Sequence, residues 1–563
     1  MSEKPDSQSL FQRLDSLNEF ERRPISEDRL QSGRYFAGLF AGEHVAATEF
    51  VIGALFVNFG ASAFDVFVGL AIGNLIAVAF WTFICAPIAV QTRLTLYWYL
   101  RDIGGPAFMV IFNILNAVMY CILAGSMITV AASAVRIPFG IPVQSGWLPT
   151  DFRFVLVVFG VGTVVVVLAI WGFRKLALFA SLCSPWMLLM FVAGAVVSLP
   201  VLGEVGSWSD FWRIANERIW TGKTGDGSAA LSVYHIIAFA ALCNLGMNLG
   251  LSDMALFRYA KRSWYGVYSA FGMLLGHYLA WICAGTMGAA AAFALGKGLG
   301  ELDSGAVAYQ TLGLAGAIAV VIAGWTTSNP TLYRVGLALQ VITPGWPRWL
   351  VTLLAGAVTT TIACSPFVFV KLLDFVGLYG LLLMPVGVIV VMEHWVFPRI
   401  GFTQFWSTRR GMLLNTPAFI ACVASLGIGI TAWRMGWIHL FFLPGPVWFM
   451  TAFFYLVLAG LSGARDQLPK ADTAAQSSQT NAPPPLEPTK RETPEATPRL
   501  LHHAAGMIAI GCLAACLFLP FGVFLQDAKD YPAYVAWYKQ VLPWITLVYF
   551  VTGLIWIQKR KPG

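Results

Sequence analysis

Ile322-Ala-Gly-Trp-Thr-Thr-Ser-Asn-Pro-Thr-Leu-Tyr333 sets three threonines, a serine, an asparagine and a proline inside a run otherwise apolar enough to span a bilayer. On a helix, Ala323, Thr326 and Thr327 stand at i, i+3 and i+4 and share one face. Pro330 has no N–H, so the carbonyl of Thr326, four residues back, loses its helical partner. In hydrocarbon that carbonyl needs protein, water or a bound cation. Either the hydroxyls bond back to the preceding turn around a proline kink, or these oxygens converge on an ion. The second reading makes Ala323, Thr326 and Thr327 ion-binding candidates, because hydroxyl and carbonyl oxygens suit a hard cation.

Around this stretch the 563 residues are 58% hydrophobic and 11% charged, with 21 Trp and 41 Phe, a composition that excludes a soluble domain. A window of about 19 residues predicts an all-α polytopic membrane protein with about fourteen transmembrane helices. Lys and Arg concentrate in the loops on the side of the N-terminus, with Arg334 counted among them, which predicts cytoplasmic termini. The net charge of +8 then reports topology and contact with lipid headgroups of the bilayer, and gives no sign of a nucleic-acid partner. All nine cysteines fall in or at the ends of apolar spans, in no paired metal-ligand spacing. The charged start of the chain predicts no cleaved signal peptide.

The chain divides into a cytoplasmic segment at 1–34, spans 1–5 at 35–201, an extracytoplasmic loop at 202–231, spans 6–10 at 232–396, and spans 11–12 at 412–463. A proline-rich stretch at 464–500 reads as a disordered cytoplasmic linker, followed by a two-span hairpin at 503–558. The hairpin has few polar groups, so packing or homo-oligomer contact is its expected role. A flexible linker cannot transmit a rigid motion, which predicts a hairpin dispensable for function. Within the body, Gly38-Leu-Phe-Ala-Gly42-Glu43-His44 in span 1 and Asn244-Leu-Gly246-Met-Asn248-Leu-Gly250 in span 6 are glycine-interrupted at corresponding positions. Such a pair points to broken helices of an inverted-repeat transporter; the same glycines also let helices pack closely.

Four stretches carry a family likeness: Phe40-Ala-Gly-Glu-His-Val-Ala-Ala-Thr-Glu-Phe-Val-Ile-Gly53 with Gly69-Leu-Ala-Ile-Gly-Asn74; Arg258-Tyr-Ala-Lys-Arg262; Trp325-Thr-Thr-Ser-Asn-Pro-Thr-Leu-Tyr333; and Phe375-Val-Gly-Leu-Tyr-Gly-Leu-Leu-Leu-Met-Pro-Val-Gly-Val-Ile-Val-Val-Met-Glu393. By their order the chain resembles the purine/cytosine permease family, nucleobase:cation symporters of LeuT-type fold, over about 35–463. The resemblance implies a 5+5 inverted repeat in a twelve-span body, with a Na+ site between spans 1 and 8. The span 8 part carries over onto Ala323, Thr326 and Thr327, and the span 1 carbonyls fall around Glu43 to Ala47. The chain departs from the family in span 3, where Asn116-Ala-Val-Met-Tyr120 replaces the usual Trp and Gln, and Asp253 precedes Arg258 by five residues rather than three.

Ionisable groups in apolar spans face a cavity or a partner. Glu43 and His44 are therefore candidates for substrate binding, and Glu43 and Glu49 for coupling or gating. Lys371 and Asp374, at i and i+3, are expected to neutralise each other, with a gate role as the alternative and a Glu49–Lys371 contact conceivable. Asn244 and Asn248 are candidate substrate partners, or amides that glue helices. Tyr120 is a core ring or a stacking platform, and Trp325 is counted with the substrate-binding candidates. His277 reads as a core histidine. The predicted function is cation-coupled (Na+ or H+) uptake of a small nucleobase-like or nitrogen-rich heterocyclic solute across the cell (inner or plasma) membrane. Its alternatives are a LeuT-type symporter for an amino acid or other small polar solute, and a non-transporting membrane sensor. No H-E-x-x-H, serine elbow or clustered acidic metal site supports an enzyme, and no cofactor beyond the coupling ion is expected.

Overall fold

The computed structural model describes residues 21–225, 227–367, 371–467 and 499–558. The expected cytoplasmic start up to residue 20 and nearly all of the linker lie outside the described residues. The long helices, in chain order, are α1 (Gly33–His44), α2 (Glu49–Asn58), α3 (Ala63–Thr92), α4 (Leu96–Val135), α5 (Phe152–Ile170), α6 (Phe173–Leu202), α7 (Val233–Leu242), α8 (Ser263–Leu295), α9 (Leu314–Ile342), α10 (Arg348–Ala363), α11 (Leu372–Val391), α12 (Thr416–Arg434), α13 (Pro444–Leu461), α14 (Arg499–Phe524) and α15 (Tyr531–Gln558).

Among the described residues, ten helices are long and apolar enough to cross a membrane, or eleven if the bent pair α1–α2 is one span. The chain is an integral membrane protein with many spans. The expectation of about fourteen also counts α7 and α10, which are shorter apolar helices, and α9, whose Thr, Ser and Asn cluster dilutes its apolar character.

Two helical paths break where the sequence is glycine-rich. The path α1–α2 bends by 51° across Val45–Thr48. α7 ends at Leu242 and a helix resumes only at Met254–Phe257, with Leu251 held at φ +61°. The breaks are packed closely. A Cβ on Gly276 would run into the His44 carbonyl, and one on Gly387 into the Leu249 carbonyl, so only glycine lets α8 and α11 approach these turns. In α4, Gly105 at φ +82° followed by Pro106 separates a short first segment from the membrane-length run after it.

The hairpin is not a loose appendage. α14 packs along α6, and α15 touches both α6 and α9. The Tyr549 hydroxyl donates to the Leu182 carbonyl at 2.7 Å, and the Tyr531 hydroxyl donates to the Val197 carbonyl. Each accepting carbonyl sits three residues before a proline of α6, Pro185 or Pro200, in the turn that proline loosens. Neighbouring helices commonly satisfy such backbone groups in a bilayer. Trp186 Nε1 also donates to Thr546 Oγ1 at 3.2 Å. Of the two roles expected for the hairpin, packing is seen within the chain, and tyrosine hydroxyls supply polar contacts that an apolar composition hid.

Candidate functional site

The two breaks and α9 meet at the centre of the molecule. The one proton of Thr327 Oγ1 is shared between the Glu43 carbonyl at 2.9 Å and the Ala323 carbonyl at 3.1 Å. Thr326 Oγ1 donates to the same Ala323 carbonyl at 3.0 Å, with Met187 Sδ of α6 at 3.8 Å. Glu43 lies in the last turn of α1, so its carbonyl has no continuing helix to accept from. Two hydroxyls and two carbonyls thus share one small volume. Back-bonding to the preceding turn is present as well: Ser328 bonds the Gly324 carbonyl at 2.7 Å and Thr331 the Thr327 carbonyl at 2.9 Å. Back-bonding thus involves Thr326, Thr327, Ser328 and Thr331 alike, and Thr327 in addition reaches the Glu43 carbonyl of α1.

One layer away, the carboxylate of Glu43 meets Arg334. Arg334 Nη1 and Nη2 reach Glu43 Oε1 and Oε2 at 2.6 and 3.2 Å, a two-pronged contact. The same guanidinium holds Asp253, through Nε at 3.0 Å and through Nη2. Trp81 Nε1 donates to the other Asp253 oxygen at 2.7 Å. All three charged side chains are buried, Arg334 with no exposed surface at all. Arg334 is therefore no loop residue: it lies in α9, and its charge joins α1, α9 and the turn after α7. Nothing local distinguishes it from a topology-setting arginine, although its place only four residues after Pro330 put it within an apolar helix. Asp253, seen in the sequence only as a displaced acid, is its second partner.

A cavity of about 50 Å³ lies beside this triad, lined by Glu43, His44, Glu49, Asn244, Thr327 and His277 among others. That is room for a few waters; a larger solute requires the surrounding helices to part. Glu49, at the start of α2, accepts the indole N–H of Trp281, a 3.5 Å bond from Thr48 Oγ1, and faces His277 Nε2 at 3.7 Å. The His277 ring stacks on Trp281 at 4.3 Å, and the His44 ring meets it edge-on at 5.0 Å. Trp81 and His277 both stand on π-helical turns, Trp81–Cys85 and Met273–Ala280, whose extra residue re-aims side chains.

The remaining residues singled out from sequence are placed differently. Tyr120 packs its ring against Tyr379 and shares a 2.5 Å hydrogen bond with Ser252; Tyr379, not Tyr120, lines the cavity. Asn248 is buried with its Oδ1 accepting the Leu249 N–H at 2.5 Å, and Trp325 packs among core side chains; neither lines the cavity. Lys371 and Asp374 are exposed, and no ion pair joins them or links Lys371 to Glu49 among the described residues. Helix α11 starts at Leu372, so both sit at its solvent end, where water screens them, and Glu49 is satisfied from α8 instead. His277, set aside as a core residue, is a wall of the cavity.

No known family model matches this chain, and no curated protein matches it. Solved structures do share its fold. Mhp1, a nucleobase-cation-symport-1 family transporter in a closed conformation with bromovinylhydantoin bound, aligns with a TM-score of 0.61 at 14% identity, over 82% of this chain and 99% of that one. The inward-facing conformation of Mhp1 aligns with a TM-score of 0.59 at 15% identity, over 81% and 98%. A Na+-coupled sialic acid symporter in a substrate-bound, outward-open state gives 0.56 at 13%, over 80% and 95%. At such identities the likeness is one of fold: the chain has the LeuT-type architecture.

Proposed function

We propose that this protein is a secondary active transporter that takes up a small nucleobase-like or nitrogen-rich heterocyclic solute together with Na+ or H+, by alternating access. The observation that carries the reading is the convergence of Thr326, Thr327 and the Ala323 and Glu43 carbonyls where the broken end of α1 meets α9. Uncharged oxygens in a dry interior are ligands for a hard monovalent cation. The cavity between the same two breaks is the solute site. Both occupants then stabilise the one arrangement of α1, α7 and α9 that brings their ligands together, so each raises the affinity for the other. On this reading spans 1–5 and 6–10 form the two inverted repeats, the termini are cytoplasmic, and the protein resides in the cell membrane. The fold shared with Mhp1 and the sialic acid symporter supports it.

The test is uptake in liposomes of purified full-length protein, with labelled nucleobases and hydantoins under separate Na+ and H+ gradients. Gradient-driven accumulation of one of them is expected, and Thr326→Ala and Thr327→Ala should raise the half-saturating Na+ concentration about tenfold or more, the equivalent of ~1.4 kcal/mol. Undiminished Na+ dependence in both variants refutes the cation site, and absence of accumulation under any gradient refutes the transporter.

A further inference from the structure

The hydrogen-bonding sense and the charge of the cavity narrow what fits it. His44 Nδ1 lies 2.9 Å from the Phe40 carbonyl. A carbonyl only accepts, so Nδ1 carries the proton and Nε2 is left as an acceptor. That Nε2 is buried and makes no hydrogen bond of normal geometry, with the Asn244 side chain beside the ring, in a residue that lines the cavity. For His277 the amide nitrogen of Asn244 stands 3.5 Å from Nδ1, which assigns the proton to Nε2, facing Glu49. Asn244 thereby spends its donor on His277 and on Met273 Sδ at 3.7 Å, leaving its carbonyl oxygen to accept. Thr327 and Thr48 spend their hydroxyl protons on the Glu43 carbonyl and on Glu49. Apart from the Tyr379 hydroxyl, the side-chain donors described around this cavity are spent on protein groups, and acceptors remain.

Charge points the same way. Arg334 serves two carboxyl groups, so with both ionised the triad carries one negative charge in excess. Glu49 is a third buried carboxyl group, and its partners are Trp281, Thr48 and His277, with no Lys or Arg in ion-pair contact among the described residues and none lining the cavity. Uncompensated charge in a membrane interior is costly. A coupling ion at the Glu43 carbonyl and Thr327 answers the first negative charge and leaves Glu49.

Building on the transporter reading above, we propose that the solute is a cation with an N–H-rich edge, an amidinium, guanidinium or protonated aminoheterocycle, whose positive edge is held by Glu49 and the His44 Nε2 acceptor. Ile52, Leu123, Met127 and Val376 of the lining take its apolar body, with Tyr379 beside them. Anionic solutes are rejected because no group in the lining pairs with them.

The test compares three probes of one shape and different charge, benzamidinium, benzamide and benzoate, on the full chain in detergent with saturating Na+, reading the thermal midpoint against probe concentration. Benzamidinium should stabilise at concentrations at least about tenfold lower than benzamide, benzoate should not stabilise, and Glu49→Gln should cut the preference to about twofold or less while Na+ alone still shifts the midpoint. That retained Na+ shift shows the variant is folded. Equal or stronger stabilisation by benzamide or benzoate in the parent protein overturns the proposal, as does an unchanged preference in Glu49→Gln, as does no stabilisation by any of the three. In liposomes the two readings separate: Na+-driven flux confined to neutral solutes leaves a transporter with the wrong charge assigned, whereas selective benzamidinium binding with no gradient-driven flux of any solute leaves the charge assignment and removes the transporter.

Discussion

Removing the positive centre of the triad is the sharpest perturbation this structure offers. Arg334→Met keeps an unbranched, apolar side chain of similar reach but strips five N–H donors, leaving Glu43 without its two-pronged partner and Asp253 with only the Trp81 indole. Both carboxylates stay almost wholly buried. Breaking a buried ion pair by deleting one partner costs about 3–5 kcal/mol, since the charge left behind is unsolvated; two stranded carboxylates place the expected loss at the upper end. Replacing the whole set by uncharged groups is often nearly neutral, so adding Glu43→Gln and Asp253→Asn to Arg334→Met should restore most of the stability. Asn at 253 can still accept the Trp81 N–H. Denaturant unfolding of the single, double and triple variants in mixed micelles, followed by tryptophan fluorescence, closes the cycle. A loss below about 1 kcal/mol in Arg334→Met, or a triple variant no more stable than the single, would refute the view that three paired charges hold these helices together. Arg334→Lys is expected to fall between, because an ammonium keeps the charge and loses the fork.

Tyr549→Phe and Tyr531→Phe should each destabilise the protein by about 0.5–1.5 kcal/mol by leaving an α6 carbonyl without its tyrosine donor; unchanged melting of both would mean that these two hydroxyls do not hold the hairpin. Gly276→Ala should cost about 1–3 kcal/mol, because the new methyl group must displace the His44 carbonyl, and the same unfolding assay with and without Na+ should show a weakened Na+ response. At the far end of α11, Glu393 accepts the Phe405 N–H at 2.7 Å and the Tyr455 hydroxyl at 2.5 Å, so Tyr455→Phe is expected to lose about 1.5–3 kcal/mol, checked by its melting midpoint against the parent protein.

Apolar runs, glycine-marked breaks and the face shared by Ala323, Thr326 and Thr327 are properties of short stretches, and the sequence alone was enough to place them. A bilayer forces each spanning segment to satisfy its own backbone, so helical periodicity read from a window of residues survives assembly. The break after α7 falls on the asparagine- and glycine-rich turn that sequence singled out, and the break in α1 follows immediately after Glu43-His44. Partners are another matter. Arg334 pairs with Glu43 and Asp253, 291 and 81 residues away, and from sequence it is one more arginine on the positively charged side. For Glu49 a contact with Lys371 is only conceivable from sequence, and the structure bonds it to Trp281, 232 residues distant. Tyr549 finds Leu182 across 367 residues and a linker that suggested independence. Charge and hydrogen-bond pairing in a membrane interior are decided by which helix faces meet, and that depends on packing summed over the whole bundle, a quantity no local window contains.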